Sequence, residues 1–111
     1  MGLAEKIRKS RESTVDIDGK AWAIRRPTDE EAAQISANGD GLLAIVKRFV
    51  IGWTLTELDL VPGGTGVAVP FDSEVFAEWV ADQPDLWTPL GMAVLDAYKR
   101  HADKRDAAVK N

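Results

Sequence analysis

At 111 residues, 45% of them apolar and 29% charged, the chain has the size and balance of one globular domain; it is too short for two and too apolar for a disordered chain. No apolar run approaches the ~20 residues of a membrane span, the first six residues lack the apolar stretch of a secretory signal, and the absence of cysteine excludes disulfides and thiolate metal sites, so a cytoplasmic protein is expected. The net charge of -4 divides into +3 over residues 1–26, -10 over 27–96 and +3 over 97–111, and an acidic centre of that strength argues against binding a phosphate backbone.

In residues 2–13 the only apolar pair at helical spacing is Leu3 and Ile7, too little to anchor a helix, so a frayed or docked start is expected. Over residues 14–26 Val15 and Ile17 alternate with Asp16 and Asp18, and Trp22 and Ile24 follow with the same period of two. This pattern predicts a β-hairpin whose turn is either Asp18-Gly19 or Gly19-Lys20, with Val15, Ile17, Trp22 and Ile24 on one face. A two-stranded ribbon is marginal in water, so that face must pack on helices.

Pro27-Thr28-Asp29-Glu30-Glu31 predicts a helix start: Thr28 caps, Glu31 reaches back, and three acids favour the positive end of the helix dipole. Asn38-Gly39-Asp40-Gly41 breaks that helix. Leu42, Ile45, Val46, Phe49, Val50 and Trp53 then form one broad stripe, predicting a second helix through residue 53. Residues 54–70, interrupted by Pro62-Gly63-Gly64-Thr65-Gly66, read as the longest loop.

Asp72 caps a third helix, with Phe71 and Phe76 placed to pack across its first turn and Val75, Phe76, Trp79 and Val80 as its buried stripe. It ends near Asp82-Gln83-Pro84. A fourth helix begins between Asp85 and Thr88, with Thr88 as cap and Pro89 in the first turn; its stripe is Leu90, Val94, Leu95 and Tyr98. Beyond His101 the apolar positions run out, and residues 102–111 are expected to fray. The expected fold is therefore a single α+β domain over residues 1–111, mainly α-helical with about four helices and an N-terminal β-hairpin packed on them.

Residues suited to catalysis are scarce. His101 is the only histidine, without a cysteine or second histidine to share a metal, and Asp29, Glu30 and Glu31 are accounted for by the helix start. The glycine-rich run lacks the lysine and helix start of a phosphate-binding loop. No catalytic residue, cofactor site or metal site is assigned, and no enzyme activity is expected. Four tryptophans are informative by contrast. Trp22, Trp53 and Trp79 lie on core stripes, whereas Trp87, in Pro84-Asp85-Leu86-Trp87-Thr88-Pro89, fits the core and an interface equally.

The order Arg25-Arg26-Pro27-Thr28-Asp29-Glu30, Gly52-Trp53, Leu60-Val61-Pro62-Gly63-Gly64, Pro70-Phe71-Asp72, Phe76-Ala77-Glu78-Trp79 and Pro84-Asp85-Leu86-Trp87 spans most of the chain and resembles the tail assembly chaperones of long-tailed bacteriophages and prophages. The resemblance implies a non-catalytic protein of the host cytoplasm that binds the hydrophobic, helical tape measure protein before the tail tube polymerises around it. It also implies that a longer, frameshifted form often shares the N-terminal part. On this reading Phe71, Leu86 and Trp87 are the partner-binding residues, the chain itself can form homo-oligomers, and neither nucleic acid nor membrane is bound. The rival readings are a small structural tail or connector component of the virion, a small enzyme or nucleotide binder, and a DNA-binding regulator.

Overall fold

The computed structural model describes residues 2–110. It is α+β and mainly helical, with an N-terminal hairpin, in the order α1 (Leu3–Lys9), β1 (Glu12–Ile17), β2 (Lys20–Arg25), α2 (Asp29–Asn38), α3 (Leu42–Phe49), β3 (Val50–Trp53), α4 (Glu57–Leu60), α5 (Ser73–Val80) and α6 (Pro84–Lys110). β1 and β2 are antiparallel with Val15 opposite Trp22 and Ile17 opposite Lys20, which leaves Asp18-Gly19 as a two-residue turn. Both turn residues have positive φ, 53° and 82°, as the hairpin turn matched to strand twist requires. Of the two turns open to the sequence, Asp18-Gly19 is the one formed.

A third strand corrects the sequence reading. Residues 50–53 were expected to continue the second helix, but α3 ends at Phe49 and Val50–Trp53 pairs antiparallel with β2, giving the sheet order β1-β2-β3. Val50 and Trp53, three residues apart, fit a helical stripe but would fall on opposite faces of a regular strand. A register shift at Ala23 and Ile24 pairs Trp53 with Trp22 and Val50 with Ile24. Three physical features favour the strand. Val-Ile-Gly-Trp is rich in β-branched and aromatic side chains, glycine is costly inside a helix, and the hairpin needs a further strand. Gly52 also fits the sheet closely: a Cβ on it would stand 2.9 Å from the Ala23 Cβ.

The loop expected over residues 54–70 contains α4. At its start the Asp59 carboxylate accepts from the Thr56 backbone N–H at 2.8 Å and from the Thr56 hydroxyl at 3.0 Å. Gly64 folds onto this turn so closely that a Cβ there would come 2.6 Å from the Glu57 carbonyl oxygen. A bridge between Thr56 and Ala68 closes the loop.

α6 starts earlier and runs further than the sequence suggested. Pro84 occupies its first position, where a fixed φ and a missing N–H cost nothing, so Pro89 falls inside the helix and forfeits one hydrogen bond. The backbone stays helical through Lys110 rather than fraying past His101. A clasp accounts for part of this extension: Asp29, at the start of α2, accepts from the Tyr98 hydroxyl at 2.8 Å and from the Arg105 guanidinium at 2.6 Å. The Arg105 and Tyr98 hydrogen bonds hold the Asp29 carboxyl below its usual range.

The core joins the sheet to α3, α5 and α6 through Trp22, Ile24, Ile45, Val46, Phe49, Val50, Leu55, Phe76, Val80, Leu90 and Val94. α3 and α6 approach closely at Gly91, where a Cβ would meet the Leu42 side chain at 2.6 Å. α1 buries none of its residues. Among the described residues, no helix is long and apolar enough to cross a membrane.

Candidate functional site

An apolar groove of about 740 Å³ lies between α4 and α5. Its floor is Leu58, Leu60, Val61, Pro62, Val75 and Trp79, and Asp59, Glu74, Glu78 and Asp82 stand around it. Leu58, Val61 and Val75 are 59%, 50% and 43% exposed, so three large aliphatic side chains cluster at one surface site. Isolated exposed aliphatics are ordinary on proteins; three side by side within a polar rim make this groove the candidate interaction surface.

The floor rests on the core through aromatic stacking. Trp79 stacks on Trp22 with ring centroids 6.2 Å apart and planes 22° from parallel, and Trp22 meets Phe76 at 6.0 Å. Trp22 is fully buried, and its indole N–H is the one buried side-chain polar atom without a partner among the described residues. That omission costs about 1–3 kcal/mol, which the large buried ring and its stacked neighbours offset. α4 is fixed to the hairpin by Lys20, whose ammonium stands 3.0 Å from the Asp59 carboxylate. Asp59 is held below its usual carboxylate range, first by the Thr56 backbone N–H and then by Lys20.

The residues expected to bind a partner, Phe71, Leu86 and Trp87, are all half-buried and packed against the core. Phe71 sits edge-on to Trp53 at 5.0 Å and 5.7 Å from Phe76. Trp53 in turn donates its indole N–H to the Val69 carbonyl at 2.7 Å, tying the long loop down. Trp87 donates its indole N–H to the Val80 carbonyl at 2.7 Å. The Val80 carbonyl, at the end of α5, also accepts the Gln83 backbone N–H at 2.9 Å, so the indole adds a second bond at that helix end. Leu86 lines a smaller pocket of about 240 Å³ that shares Asp59, Trp79 and Gln83 with the groove. Only Leu86 of the three therefore borders the groove.

Leu58, Val61 and Val75 were missed as surface residues. Thr56-Glu57-Leu58-Asp59 carries the threonine-to-acid spacing of a helix cap and could have revealed α4. Val75 follows the helical stripe of α5, but that stripe is wider than the face the core covers.

A charge cluster at the opposite end of the sheet has a structural role. Glu31 accepts a bidentate pair from Arg25 at 2.8 and 3.0 Å, the Thr28 backbone N–H at 3.0 Å and an Arg48 N–H at 3.0 Å. The hydrogen bonds from Arg25, opposed by burial and aided by Thr28 and the charge of Arg48, bring its carboxyl down to about 2. Nearby, a cleft lined by Arg11, Arg26, Arg100, His101 and Lys104 gathers bases from both ends of the chain. The molecule is therefore electrically polar, basic at this end and acidic at the groove.

No family model, curated protein or solved structure matches the chain.

Proposed function

We propose that the chain is a non-catalytic tail assembly chaperone of a long-tailed bacteriophage, which acts in the host cytoplasm by covering amphipathic helices of the tape measure protein. The observation that carries this reading is the α4–α5 groove, whose exposed Leu58, Val61 and Val75 provide apolar surface that the protein's own core does not use. The acids on its rim select the occupant: an amphipathic helix whose apolar stripe is flanked by lysine or arginine. Recognition of this kind needs no cofactor or metal, and the same acids keep loaded complexes apart by mutual repulsion.

Co-expression with the tape measure protein of the same phage tests the proposal. Wild-type chain is expected to bring that protein into the soluble fraction, and Val75→Asp to abolish the effect without unfolding the chaperone. A tape measure protein equally insoluble with and without the wild-type chain overturns it. The second reading, a small structural tail or connector component, draws on α1, an exposed helix that buries none of its residues in its own chain. Recovery of the protein from purified virions in stoichiometric amount favours that alternative.

A further inference from the structure

The chain carries both halves of one contact. α1 is a two-turn helix in which Leu3 and Ile7, 74% and 49% exposed, lie one turn apart on the same side. Lys6 and Arg8 flank that pair on its two sides at 100° per residue. An apolar stripe between bases is the complement of an apolar groove between acids. A seven-residue helix is also too short to be stable by itself, its usual support is burial of an apolar face, and α1 buries none of its residues within its own chain.

The connectivity decides whose groove α1 can reach. β1 spans six residues, about 20 Å, and α1 enters at its Glu12 end while the groove adjoins the turn end, where Lys20 meets Asp59. Only Ser10 and Arg11 separate α1 from β1, a reach of about 7 Å, and Arg11 is pinned by its carbonyl accepting the Arg26 N–H at 2.9 Å. The helix cannot fold back into its own groove. We infer that α1 of one copy docks by Leu3 and Ile7 into the α4–α5 groove of a second copy, giving head-to-tail self-association that a captured partner helix must displace.

Such a contact is heterologous: each copy offers a different surface, so the assembly grows into a ring or an open filament rather than stopping at a symmetric pair. The electrical polarity of the chain acts in the same sense, because the basic end of one copy faces the acidic end of the next. The area involved is small, which places the association in the weak, reversible class and makes it sensitive to salt. The inference takes the groove from the proposed function but not the tape measure protein, so the two stand or fall by separate measurements.

The test uses two full-length variants and sedimentation velocity at low salt. Leu3→Asp with Ile7→Asp removes the head and leaves the groove; Val75→Asp removes the groove and leaves the head. Wild-type protein is expected to form species beyond the dimer as concentration rises and to lose them at high salt. Each variant alone is expected to be monomeric, and an equal mixture of the two to form dimers that grow no further. The substituted side chains are exposed, and an unchanged far-ultraviolet circular dichroism spectrum verifies folding. Monomeric wild type, association of either variant like wild type, or a mixture that stays monomeric overturns the inference. Tape measure solubilisation, assayed apart, tells failure of self-docking from failure of the chaperone reading: wild-type chain that solubilises the partner while remaining monomeric refutes only the former.

Discussion

Trp22 and Trp79 are stacked 6.2 Å apart, and this pair joins the centre of the sheet to the floor of the groove. Trp22 is fully buried and Trp79 half-buried, so one aromatic unit has an inner ring in the core and an outer ring that reaches the groove. Trp22→Ala is expected to cost about 4 kcal/mol and Trp79→Ala about 2 kcal/mol, whereas Val75→Ala stays within about 0.5 kcal/mol. Urea denaturation of the three variants checks this order. Equal losses at Trp79 and Val75 would remove the distinction between the half-buried ring packed on Trp22 and the exposed aliphatic beside it.

Gly19 stands at φ 82° in the two-residue turn, a region that disfavours any Cβ. Gly19→Ala is expected to lower stability by about 1 kcal/mol, while Asp18→Asn, at φ 53°, is neutral or slightly stabilising because asparagine tolerates left-handed backbone. Thermal unfolding distinguishes them: the first variant melts several degrees lower, the second does not.

Glu31 titrates at about 2 in the folded protein against 4.5 ordinarily. The unfolded chain therefore binds the proton more tightly than the folded one, and the stabilisation is complete above about pH 4.5 and disappears as the pH falls towards 2. With allowance for partial solvent screening, Glu31→Gln is expected to cost roughly 2 kcal/mol at neutral pH and to flatten the stability curve between those limits. Chemical denaturation of both proteins across that range measures it. A variant whose acid dependence matches wild type refutes the assignment.

At the end of α5 the Val80 carbonyl accepts the Gln83 N–H and, as a second hydrogen bond, the Trp87 indole N–H. Trp87→Phe keeps most of the ring but loses that bond, and a loss of about 1 kcal/mol is expected with little change in tape measure capture. Capture abolished in a fully stable Trp87→Phe protein would instead return Trp87 to the binding surface.

The legible parts of the fold were those where local chemistry and burial agree. The capping box of Thr28 and Glu31, the alternation through Val15 and Ile17, and the Asp72 cap each appear in the structure where the sequence placed them. β3 was hidden because Val50 and Trp53, three residues apart, fit a helical stripe and not the period of two; only pairing with β2, remote in sequence and irregular at Ala23 and Ile24, brings both to one face. The groove was hidden for a related reason. Periodicity shows which side of α5 is apolar, but not where the core stops covering it, so Val75 reads as interior and Leu58 as loop. The clasp of Asp29 by Tyr98 and Arg105 spans most of the chain length and leaves no local signal.

α6 begins just after Gln83, which lines the groove, passes the basic cleft at Ala97 to Lys104 and runs on to Lys110, a course of about 40 Å for its 27 residues. A fluorescent label or affinity tag joined after its last turn would hang well away from the acidic mouth. The binding surface can thus be immobilised or followed by fluorescence from the rear of the molecule, with its entrance unobstructed.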